Sequence, residues 1–84
     1  MNRLTLNDGT VLEDSTALDS GFTLWLYLYG VTFDEAYRML SDRDLTSVIY
    51  AEEDGETTIY RGYTDLFFLQ REDGGRISGG LKHA

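Results

Sequence analysis

The carboxylates of "EEDGE" (Glu52, Glu53, Asp54 and Glu56) are the densest group of potentially reactive side chains in this sequence. Paired carboxylates do acid–base catalysis when burial pushes one pKa above the other. A charged stretch around Asp-Gly reads instead as the solvated tip of a hairpin. The single histidine, His83, stands next to Ala84, where preorganisation of a Ser-His-Asp site is least favoured. There is no cysteine, which excludes a thiol nucleophile, a disulfide and a thiolate metal site. Calcium is the metal that oxygen ligands would suit, at Asp42 and Asp44 of "SDRDLT" or at "EEDGE". Neither follows the twelve-residue spacing of an EF-hand loop. "DGGRISGG" lacks the lysine-serine ending of a phosphate loop and no helix follows it. The expectation is a protein that is not an enzyme, with no catalytic residue, cofactor or metal.

Charge narrows the partners. The formal net charge is −8, from 15 acidic and 7 basic residues. The basic ones, Arg3, Arg38, Arg43, Arg61, Arg71, Arg76 and Lys82, are scattered rather than clustered, so direct nucleic-acid binding through phosphates is not expected. The acidity serves either solubility or contact with a basic partner, for instance by imitating nucleic acid. No window approaches the ~20 apolar residues of a membrane span. The opening "MNRLTLNDGT" carries no apolar run of signal-peptide length. A soluble intracellular protein with no membrane association is expected.

The elements follow from turn signals and periodicity. "LTLNDGTVL", "IYAEEDGETTIY" and "FLQREDGGRI" each place Asp-Gly between strand-like runs, which predicts hairpins at Asp8-Gly9, Asp54-Gly55 and Asp73-Gly74. "EDSTALDSG" is polar and reads as a loop. "VTFDEAYRMLSD" predicts the one helix, near 33–42. Thr32 and Glu35 have capping-box spacing, and Phe33, Ala36, Tyr37 and Leu40 make a single apolar stripe. Asp42 to Asp44 read as the exit loop, and "LTSVIYA" and "ETTIYRGYTDLFFLQ" as strands. Gly62 marks a bulge or bend. In "DLFFLQR", Leu66 and Phe68 should oppose Phe67 and Leu69. Gly79-Gly80 weakens a last strand, and His83-Ala84 should fray. The expected fold is a single α+β domain over residues 1–84, with about six mainly antiparallel strands and one helix.

The strand "FTLWLYLYG" raises the question of function. Phe22, Leu24, Leu26 and Leu28 share one face and Thr23, Trp25, Tyr27 and Tyr29 the other. Three uses compete for the aromatic face. It is buried in a two-sided core, one face of the strand against the helix and the other against a second sheet, with Tyr60, Tyr63 and Phe67 helping to cover it; or it meets a partner or a second copy, since Trp and Tyr suit interfaces; or it stacks bases. One helix covers only one side of a sheet, so coverage of the aromatic side by another chain is expected. The candidate interaction residues are Trp25, Tyr27, Tyr29, Glu52, Glu53 and Asp54.

"LTLNDGT", "VTFDEAYRMLSD" and "TSVIYAEEDGETTIYRGYTDL" together resemble small proteins of tailed phages and prophages of Gram-positive bacteria, over most of residues 2–72. Such proteins are usually of unassigned function, and their genes often lie near tail genes. The resemblance implies a phage protein in the host cytoplasm or the virion, and it supplies no functional residues. With the failed search for catalytic motifs, it points to a small structural or assembly component acting by protein–protein contact. The alternative is a small acidic inhibitor of a host defence or nucleic-acid enzyme, anti-CRISPR-like or a DNA mimic.

Overall fold

Asp-Gly turns and alternating apolar residues build most of the fold locally. The computed structural model describes residues 1–84, which form eight strands and two short helices. In chain order they are β1 (Asn2–Thr5), β2 (Val11–Glu13), β3 (Thr16–Asp19), β4 (Thr23–Leu28), α1 (Phe33–Leu40), α2 (Arg43–Thr46), β5 (Val48–Glu53), β6 (Glu56–Arg61), β7 (Tyr63–Arg71) and β8 (Ile77–His83). The strands form two four-stranded sheets, ordered β2-β1-β5-β6 and β3-β4-β8-β7, and every pairing is antiparallel. The α+β class is as expected, with eight strands rather than about six. No helix is long and apolar enough to cross a membrane.

The sheets are joined at both edges by tight corners. β2 passes into β3 through Asp14, at φ 60°, and β6 into β7 through Gly62, at φ 85°. The buried Ser15 fastens the first corner: its hydroxyl donates to the Glu13 carbonyl and accepts from the Tyr29 N–H. At the second, the Gly62 N–H donates to the Ser47 carbonyl. Gly62 is therefore a change of sheet rather than a kink within one strand, and only glycine adopts such a φ freely. Exchanging β1–β4 with β5–β8 leaves both strand orders unchanged, so the topology carries an internal two-fold.

The core lies between the sheets. Leu4, Leu6, Leu12 and Ile49 come from or adjoin the first, and Leu24, Leu26, Leu28, Ile77 and Leu81 come from the second. Tyr63 of β7 and Ala36 and Leu40 of α1 complete it. Thr32 caps α1 reciprocally with Glu35: the Glu35 N–H donates to Oγ1 at 3.1 Å and the Thr32 N–H to Oε1 at 2.8 Å. Contact with the main-chain N–H of Thr32 holds the Glu35 carboxyl below its ordinary value.

Several local expectations are corrected. The helix does not reach residue 42; it stops at Leu40, and Asp42 caps a second turn, α2, by accepting from the N–H groups of Asp44 and Leu45. The segment read as a loop contains β3, whose pairing with β4 puts Ala17 beside Leu26. A polar edge strand shows little alternation, which hid it. Phe22 precedes β4 and is 83% exposed, so it is no core residue. His83 is not frayed: its N–H donates to the Phe22 carbonyl and its ring lies edge-on to Tyr63.

Candidate functional site

Three leucines of β4 are fully buried against the other sheet. Each contributes about 1.5–3 kcal/mol, several times a surface ion pair. They fix the strand's orientation, and by alternation they turn Thr23, Trp25 and Tyr27 outward. The aromatic side is therefore not one half of a two-sided core; the first sheet and α1 cover the leucine side instead. The two-sided option assigned the helix to one face of this strand and a second sheet to the other; instead the sheet and the helix share the leucine face.

Outward register aligns a row across all four strands of the second sheet. Leu18 of β3 pairs with Trp25 of β4, Trp25 with Gly80 of β8, and Gly80 with Phe68 of β7. The register of β7 slips between Leu66 and Phe68, a bulge. One residue too many on that strand breaks the alternation. Phe67 and Phe68 consequently both reach Trp25, edge-on at ring-centre distances of 5.5 and 5.7 Å. Leu66 and Leu69 turn together to the core. This replaces the expected alternation of Leu66 and Phe68 against Phe67 and Leu69.

Gly80 is what lets the rings close over the sheet. A Cβ there would stand 2.8–2.9 Å from Phe67 and Trp25. On the opposite face, a Cβ on Gly79 would stand 2.8 Å from the buried Leu40. The two glycines do not weaken β8; they let it run crowded on both sides.

Cations flank the row. The Arg76 guanidinium lies 5.0 Å from the Tyr27 ring centre, and the Lys82 ammonium 4.9 Å from that of Phe67. Glu72 orients the first: its carboxylate accepts from the Ser78 hydroxyl at 2.6 Å and pairs with Arg76 at 3.5 Å. Leu18, Phe67 and Phe68 remain 56%, 43% and 36% exposed. The surface is thus an apolar stripe bounded by two positive charges, on a chain that is otherwise acidic.

Of the residues singled out from sequence, Trp25 and Tyr27 belong to this surface. Tyr29 lies past the end of β4, in a groove with Val11, Leu12, Glu13 and Val31. Glu52 stands on the other sheet, sharing Arg3 with Glu13. Glu53 and Asp54 form the β5–β6 tip. The structure does not gather the six into one site. Tyr60 and Tyr63 do not cover the aromatic face: Tyr60 packs on the core, and the Tyr63 hydroxyl donates to the Gly21 carbonyl at 2.8 Å. Burial, and then the Asp19 charge, raise the Tyr63 pKa. Sequence reasoning missed Leu18, Phe68, Gly80, Arg76 and Lys82, because only the pairing of β3, β7 and β8 brings the first three beside Trp25, and Arg76 and Lys82 over Tyr27 and Phe67. A polar cleft lined by Tyr37, Ser41, Arg43, Thr64, Asp65 and Leu66 holds two charged groups that neutralise each other, Arg43 and Asp65 at 2.6 Å. No protein-family model matches the chain, and no curated protein and no solved structure matches it.

Proposed function

We propose that the protein is a non-enzymatic component of a tailed phage or prophage, a small structural or assembly protein that works by protein–protein contact. The contact surface is the outer face of the second sheet. The observation that carries this reading is the Leu18–Trp25–Gly80–Phe68 row, with Phe67 drawn in by the bulge. Exposed apolar stripes of this kind mark interaction sites, and aromatic anchors carry much of the energy of such contacts. The partner is a protein with an apolar centre and carboxylates at its rim, placed to meet Arg76 and Lys82. The phage setting, in the host cytoplasm or the virion, rests on the sequence resemblance. The acidic-inhibitor alternative draws less support, because several of the acids are already paired: Glu13 and Glu52 with Arg3, Asp65 with Arg43, Glu72 with Arg76.

The test is a double variant, Leu18→Glu with Phe67→Glu, placed in the genome that carries the gene. Both side chains are exposed, so circular dichroism of the purified variant should match the parent. Particle assembly should fail. Normal particle yield from a folded double variant would refute the reading. A defect confined to hosts that carry a defence system would favour the inhibitor alternative.

A further inference from the structure

Four strands end the two sheets, and three of them are guarded against pairing with another chain. β2 is three residues long and β3 four. β7 is bulged, and α1 and α2 pack on it. β6, "ETTIYR", has none of these devices. It runs six residues in unbroken register with β5, carries neither lysine nor proline, and has only Tyr60 half-buried.

The turn before β6 decides which of its backbone groups are free. Asp54 and Gly55 both have positive φ, at 52° and 86°. A two-residue turn of that kind makes Glu53 and Glu56 a hydrogen-bonded pair. Alternation then directs Thr58 and Tyr60 toward β5, and turns the N–H and C=O groups of Thr57, Ile59 and Arg61 to the open edge. None of these three enters a backbone hydrogen bond with a turn, loop or cap elsewhere in the chain.

We infer that β6 pairs antiparallel with β6 of a second copy of this chain, about a two-fold axis at Ile59. The occupant is a second copy because the free edge is self-complementary. A two-fold normal to the sheet keeps outward residues opposite outward residues, so only like-facing positions can pair. Placing Ile59 opposite Ile59 puts Thr57 opposite Arg61, and every outward-turned backbone group then has a partner. Side chains agree on the same register. The outer row Val11–Thr5–Tyr50–Ile59 continues into its own mirror order across the axis. The adjoining row Glu13–Arg3–Glu52–Thr57 alternates in charge and then meets Arg61 of the second copy. Arg61 makes no ion pair within its own chain. Glu52 would lie two strands from it, about 10 Å between Cα atoms, within reach of the two side chains across a threonine. Two four-stranded sheets become one of eight strands. The contact uses the first sheet and leaves the Trp25 surface of the second free, so it stands or falls separately from the functional proposal above.

The test uses the full chain. Sedimentation velocity over a dilution series should show a concentration-dependent dimer. Ile59→Pro removes an N–H that faces only the open edge, so it should leave a folded monomer. Ile59→Cys introduces the only thiol. Opposed hydrogen-bonded residues lie about 5.5 Å apart between Cα atoms, inside the range a disulfide spans. That variant should cross-link on mild oxidation, whereas Val11→Cys, far along the same row, should not. A parent chain that stays monomeric throughout overturns the inference. So does a dimer that Leu18→Glu with Phe67→Glu dissolves, or failure of Ile59→Cys to cross-link. The thiol experiment decides the matter even if Ile59→Pro fails to fold.

Discussion

Gly79 and Gly80 are adjacent, and an alanine at either would meet a side chain at 2.8 Å, yet the two substitutions should differ. On the inner side the obstacle is Leu40, fully buried and unable to retreat. Gly79→Ala should therefore cost about 1–3 kcal/mol by overpacking, read as a lower urea midpoint. On the outer side the obstacles are Phe67 and the rim of Trp25, and Phe67 can swing into solvent. Gly80→Ala should cost less in stability but change the emission of Trp25, the one tryptophan. Equal losses of stability would contradict this assignment of faces. Two carboxyls answer to pH at the same scale. Main-chain N–H donors, of Thr10 to Asp8 and of Thr32 to Glu35, hold both below their ordinary values. A folded-state pKa below the unfolded one adds stability above the unfolded value and loses it as pH falls through the folded one. The stability advantage of the parent over Asp8→Asn with Glu35→Gln should therefore shrink as pH falls through and below the ordinary carboxylate range, measured by denaturant unfolding at each pH.

Elements were legible where chemistry is local. The three Asp-Gly hairpins and the Thr32–Glu35 capping box each depend on residues within a few positions of one another, and all four form as their sequences imply. Thr32→Ala should lower stability by about 0.5–2 kcal/mol in urea unfolding, with α1 shortened at its first turn. What the sequence hid depends on distant register. The extra residue that turns Phe67 and Phe68 to one side is defined only against β8, and β3 is a strand only because Leu24 to Tyr27 lie beside it. The candidate site was half visible for the same reason. Trp25 and Tyr27 declare themselves by alternation along one strand, while the residues that complete their surface come from three others.

Across the whole molecule, length predicted one domain and turn signals with periodicity predicted the α+β class, and the apolar residues were enough for a sandwich rather than a helix laid on a single sheet. The two strands not counted from sequence are β3, read as a loop, and the second strand made by the change of sheet at Gly62, read as a bulge or bend. The order of strands has a further consequence. Each sheet has one seam where the two halves of the chain meet, β1 against β5 and β4 against β8. Every other strand pair is a hairpin within one half. Cleavage after Gly30 would leave β1–β4 on one fragment and β5–β8 on the other, each holding half of both sheets and neither a closed core. Separately expressed, the fragments should be unstructured or self-associated; mixed, they should recombine into a native-like heterodimer, with Trp25 emission returning as β4 docks on β8. A chain with this order behaves as two interlocking parts tethered by its helices. Its folding rate should be set by how fast those parts find each other, and shortening the α1–α2 connector should change that rate more than any change within a hairpin.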